Sequence, residues 1–142
     1  MKTLTTKMFL AAAALTVVAG SASAQMLRAE IPFTFRVGDR IQQPGAYEVN
    51  MLAAANRNYF TLRNTETRKA VLLSSFALAD VPKQWRAAGI PKLAFECSNS
   101  GCVLRDLWSG SDPNLQRFQA PRIGRAGEMR IAEVAMTWTR GD

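Results

Sequence analysis

The stretch KLAFECSNSGCVLRDLW, residues 92–108, holds the only two cysteines of the chain and reads as two strands around a turn. In a strand, alternate residues share a face. If Cys97 faces Cys102, then Phe95 faces Leu104, and all four side chains lie on one side of a hairpin. Ser98-Asn99-Ser100-Gly101 supplies the turn, with Gly101 free to adopt the left-handed conformation. A non-hydrogen-bonded antiparallel pair brings Cα atoms to about 4.5 Å, at the short end of disulfide geometry. A thioredoxin-like motif needs two intervening residues and a helix N-terminus, whereas here four residues intervene between strands. A structural zinc site needs four ligands, and two cysteines without a histidine cannot close one. Cys97 and Cys102 are therefore expected to form a structural disulfide. In the chain-entropy model so short a loop adds about 2 kcal/mol. The same register sets Asp106 beside Leu104 and Trp108. Either it is a buried carboxylate with an arginine partner, or a bulge turns it outward.

The alternation extends over the rest of the chain. Ile31, Phe33, Phe35 and Val37 share one face of Glu30–Val37, where Pro32 points to an edge strand or a strand start. Gly38-Asp39 and Pro44-Gly45 mark turns. Tyr47, Val49 and Met51 form the next inward row. Asn56-Arg57-Asn58 turns the chain into Tyr59–Arg63, and Asn64–Arg68 turns it again. Ala70–Ala79 is apolar on both faces, as in a strand covered on both sides. Asp80–Pro91 reads as a loop. Ser111-Asp112-Pro113 resembles an N-cap followed by proline, so a short helix is expected near 113–119. Arg122–Gly127 is loose and basic. Ala132, Val134, Met136 and Trp138 form the last inward row. The whole predicts an all-β domain of about seven strands, an antiparallel β-sandwich or small barrel.

The N-terminus predicts the compartment. MKTLTTK is basic, MFLAAAALTVVAG is apolar but too short to span a bilayer comfortably, and Ala22-x-Ala24 fits signal peptidase. Residues 1–24 are expected to be a signal peptide, and 25–142 a single secreted domain, periplasmic or extracellular. No cysteine follows the cleavage site to carry a lipid anchor. No second long apolar run predicts a membrane span. Export also favours the disulfide.

The chain carries 18 Lys and Arg against 11 Asp and Glu, a formal charge of +7. Losing Lys2 and Lys7 with the leader reduces this to +5. A modest basic excess suits an anionic envelope polymer or a glycan, or serves solubility alone. With no histidine, Ser-His and Cys-His nucleophile pairs are absent, and so is the commonest metal ligand. No metal or other cofactor is called for. The basic residues near the C-terminus lack interleaved aromatics, which disfavours nucleic acid. The terminal Arg140-Gly141-Asp142 is read as a chance tripeptide.

Two places invite a ligand. Trp85, between Lys83 and Arg86, is suited to stacking on a sugar or pairing with an anion, or else folds back over the core. Asp106 is the one carboxylate out of step with a solvated strand face. A carboxylate hydrolase would need two facing carboxylates at a defined separation.

AEIPFTFRVGDRIQQPGAYEV, residues 29–49, resembles the opening of a family of small secreted proteins common in acidobacteria. That family starts with an Ile/Val-Pro-Phe-x-Phe strand, a Val-Gly-Asp turn and a Pro-x-Gly-x-Tyr segment. Pro32, Phe33, Phe35, Val37, Gly38, Asp39, Gly45 and Tyr47 match, while Pro44 directly before Gly45 departs from the spacing. Lys92-Leu93-Ala94-Phe95 and Leu107-Trp108 are similar to its later hairpin. The resemblance covers about two thirds of the expected mature chain. It implies an all-β secreted domain with no assigned activity and carries over no catalytic residue. The expectation is a non-enzymatic exported domain that binds or structures something in the envelope. A polysaccharide hydrolase using Asp106 is the alternative, and a subunit adding its Glu30–Val37 edge to a partner protein's sheet is a third reading.

Overall fold

The structure, a computed structural model, describes residues 25–54, 57–119 and 128–140. The expected leader, the turn at Asn56 and the Arg122–Gly127 stretch lie outside these residues. The strands are β1 (Gln25–Ile31), β2 (Phe35–Val37), β3 (Arg40–Gln42), β4 (Gly45–Ala54), β5 (Arg57–Asn64), β6 (Ala70–Asp80), β7 (Lys92–Ser98), β8 (Gly101–Trp108), β9 (Asn114–Phe118) and β10 (Arg130–Arg140). One helix, α1 (Lys83–Ala88), joins β6 to β7. Around the sheet the order is β1, β4, β5, β6, β9, β8, β7, β10, and β10 pairs back with β1. Eight antiparallel strands therefore close a small all-β barrel, in which closure removes the edges that a sandwich leaves open.

Inward rows fill the interior. Ile31, Tyr47, Val49, Phe95, Cys97, Leu104 and Met136 take their expected places in one buried cluster, joined there by Leu27, Ala29, Phe60, Leu62 and Leu93. Cys97 stands opposite Cys102 in a disulfide with Cα atoms 4.0 Å apart, and Phe95 stands opposite Leu104. The turn after β5 is held by Asn64, whose Oδ1 accepts from the amides of Glu66 and Thr67. Arg68 there takes a left-handed φ of 61°.

Glu30–Val37 is not one edge strand. Pro32 donates no hydrogen bond, and the ladder breaks there. β1 lies between β10 and β4, while β2 crosses to pair in parallel with β8 and antiparallel with β3. The segment plugs one end of the barrel. Phe33 and Phe35 meet Phe95 edge-on at 5.0 and 5.3 Å, and Phe35 meets Tyr47 at 5.2 Å. The free edge of the sheet belongs to β3 instead.

At the opposite end described side chains of the inward rows are less buried. Met51 continues the Tyr47-Val49 row opposite Phe60, and Trp138 continues the Val134-Met136 row opposite Leu27. Yet Met51 is 52% and Trp138 45% exposed, because their rows run past the filled interior.

Three local expectations are corrected. The stretch near 113–119 is a strand, not a helix, because β9 supplies the backbone ladder that closes β6 onto β8. Its Leu115 faces out and Phe118 faces in, a three-residue spacing that imitates a helix face. The helix lies in the expected loop, at Lys83–Ala88, preceded by Pro82 and stopped by Gly89 in the left-handed conformation. Finally, β6 is not covered on both faces: Leu72 on its outer face is exposed, as are Phe76 and Leu78 beyond the register shift.

Candidate functional site

Asp106 owes its place to one extra residue. Phe95 pairs with Leu104 but Ala94 pairs with Asp106, so Arg105 is inserted as a bulge. Beyond it the faces exchange. Leu107 enters the barrel core, and Asp106 and Trp108 pass to the outside. The outside is covered here, because the chain between β6 and β7 must cross β9 and β8. Val81 and Trp85 from that crossing pack on Ala94, Trp108 and Leu115. Asp106 is thus turned outward and is nevertheless buried, with Arg117 Nε donating to it at 2.9 Å. Both sequence alternatives hold at once. The Asp106 hydrogen bond raises the pKa of Arg117, while burial works against it.

Trp85 is folded back, 4% exposed, and stacked on Trp108 with ring centroids 6.5 Å apart. Its Nε1 donates to Glu133 Oε1 at 2.9 Å. Lys92 Nζ reaches Glu133 Oε2 at 3.2 Å and lies 5.7 Å from the Trp85 ring. Trp108 Nε1 donates to the Asp112 carbonyl, and Arg86 to that of Pro113. Lys83 and Arg86 remain exposed on α1. The four sequence candidates thus share one structural unit but offer no open surface that combines Trp85 with Asp106. Cys97 and Cys102 are locked in the disulfide. Among the described residues, no cluster of His, Cys, Asp or Glu could hold a metal ion.

Among the described residues, concave surface lies elsewhere, over the outer face of β1. Two adjoining hollows of about 560 and 530 Å³ share Arg28, Glu30 and Pro32. Glu133, Ala135 and Thr137 of β10 line one of them. Pro44, Gly45, Ala46, Thr65 and Glu66 line the other. Together they form a furrow across β1. One side opens because the last β1–β10 pair is Ala29 with Met136, after which β10 follows β7 alone. Glu133 belongs to both places, as a wall of the furrow and as the anchor of Trp85. Sequence reasoning assigned Glu30 and Glu133 to solvated strand faces. The available signal was Pro32, which ends pairing beside Glu30.

No family model matches the chain, and no curated protein or solved structure matches it either.

Proposed function

We propose that this chain is an exported, non-enzymatic domain that binds a glycan of the cell envelope in the furrow over β1. The furrow carries the proposal. Its lining includes Glu30, Glu66 and Glu133, Thr65 and Thr137, and one arginine, Arg28. Carboxylates accept from sugar hydroxyls, and a guanidinium donates to them. With Glu133 paired to Lys92, the carboxylates of Glu30 and Glu66 against one arginine favour a neutral or amine-bearing glycan over an anionic polymer, despite the basic balance of the whole chain. The disulfide and the expected leader support export, as does the resemblance to secreted proteins. Among the described residues no helix is long and apolar enough to cross a membrane. Calorimetric titration with a panel of envelope glycans tests the reading. Binding that falls at least about tenfold in Glu30→Ala supports it. Uniform absence of binding at low and physiological salt overturns it.

A carboxylate hydrolase is the second reading, and one observation favours it: Glu30 and Glu133 line the same hollow. Asp106, buried and bonded to Arg117 away from either hollow, gives way to this pair as the residues to mutate. Polysaccharide cleavage lost in both Glu30→Gln and Glu133→Gln would establish it.

A further inference from the structure

We infer that the glycan held in the furrow carries a short peptide, which extends along an unpaired flank of β10. The inference rests on the glycan reading above and adds a second means of recognition to the same site. It starts from the place where β10 changes neighbours. Residues 136–140 pair with β1, and residues 130–135 pair with β7. Over residues 130–135 no described strand pairs with the flank turned toward β1. One bond sets the direction of the amides. Met136 N donates to the carbonyl of Pro91, on the β7 side. Successive residues of an antiparallel strand direct their N–H groups to opposite neighbours. Ala132 and Val134 therefore turn theirs to β7, and Ile131, Glu133 and Ala135 turn theirs to the gap. The ladder to β1 ends at Ala29 and Met136, before it could take up these three donors.

Glu133, Val134 and Ala135 are consecutive in the wall of the 560 Å³ hollow, so main chain as well as side chains lines it there. An extended peptide recognises such a flank through its own main chain, by adding a strand. Residues 131–135 span about 13 Å, room for about four extended residues. The other hollow offers no such flank, because β1 and β4 stay paired through Ile31 and Gly45. Thr65 and Glu66 leave that half to sugar hydroxyls. Charge selects among peptides. Glu133 is engaged by Lys92 and Trp85, whereas Glu30 bonds no described residue. A peptide residue paired with Glu133 sets its side chain on the same outer face, on the side of Glu30. A protonated amine there gains a carboxylate that has no other described partner. Ile131, 53% exposed, gives a neighbouring peptide residue an apolar contact. A second copy is the poorer occupant, since β10 added to β10 about a twofold axis at Glu133 sets two carboxylates opposite each other.

The test titrates the protein with a wall disaccharide bearing a tetrapeptide with a free amine, the same disaccharide capped as its amide, and the free tetrapeptide. The peptide-bearing form should bind at least about tenfold more tightly than the capped one. Ala135→Pro removes one N–H at the gap and keeps the donors of the β7 ladder, a position where a strand tolerates proline. It should erase that difference with an unchanged circular dichroism spectrum, while Ala135→Ser should preserve it. Acetylating the peptide amine should weaken binding to the wild type and not to Glu30→Gln. Hydrogen exchange needs no variant: the amides of Glu133 and Ala135 should exchange freely alone and become protected in the complex. Equal binding of the two disaccharides overturns the inference and leaves the furrow a glycan site. Amides already protected without ligand overturn it as well, because the flank is then paired within the protein. Binding of the free tetrapeptide that Ala135→Pro abolishes, with none of the capped disaccharide, supports the β10 flank and sinks the glycan reading instead. No binding of any of the three overturns both.

Discussion

The hairpin β7–β8 has a buried cluster on each face, and the two are built differently. Inside the barrel, side chains arrive from nearly every strand, and Phe95 at their centre is fully enclosed by Phe33, Phe35 and the neighbouring rows. Outside, a cover of six helical residues presses Trp85 onto Ala94 and Trp108. Here a large share of the contact is polar: Asp106 with Arg117, and Glu133 with Trp85 and Lys92. The interior is specified by repetition, so no single hydrogen bond decides it. The outer cluster depends on one inserted residue and a few directed bonds. Adjacent residues Ala94 and Phe95 thus belong to two cores of unequal redundancy.

The largest effect should come from placing a charge on the barrel face just past the bulge. Leu107→Asp puts a carboxylate without a partner where Leu107 is buried in the interior cluster. That costs several kcal/mol, so the variant should fail to show a cooperative denaturant transition. A stable folded variant would mean that residue 107 does not enter the interior beyond the bulge. Next, Phe95→Ala should lower stability by about 3–5 kcal/mol in urea titration, the cost of an aromatic cavity in a rigid core. A loss below about 1 kcal/mol would show that the interior collapses around the gap as a loose core does. The smallest effect is expected outside. Trp85→Phe keeps most of the packing but loses the bond to Glu133, for about 1 kcal/mol. Hydrogen exchange should then quicken in α1 while β7 amides stay protected. Uniform quickening would make the two clusters one cooperative unit.

The same contrast explains what could be read from the sequence. Rows such as Tyr47-Val49 and Val134-Met136 were legible because period-two burial is local. The Cys97–Cys102 pairing, with Phe95 opposite Leu104, followed from that period and one turn. Beyond Leu104 the reading stalled at Asp106, because a bulge shows only against a partner strand. The helix was missed although Pro82 and Gly89 bracket it. Six residues do not hold a helix alone, and α1 depends on Trp85 finding its place on Trp108. Ser111-Asp112-Pro113 carried the stronger local helix signal, but the ladder between β6 and β8 prevailed at Asn114–Phe118. The furrow was invisible for a different reason. Glu30 and Glu133 lie 103 residues apart in the chain and meet only where β1 and β10 separate.

The pairing of β1 with β10 sets the timing of folding. Gln25 is the first described residue and Arg140 the last, and they are partners in one ladder. Until β10 has left the ribosome, or the far side of a secretion channel, β1 lacks one neighbour and the cylinder cannot close. Contacts of such long sequence separation slow folding, because the whole intervening loop must be ordered first. Under the export proposed above, that delay would keep the polypeptide threadable throughout its passage and postpone the committed step until transport is complete.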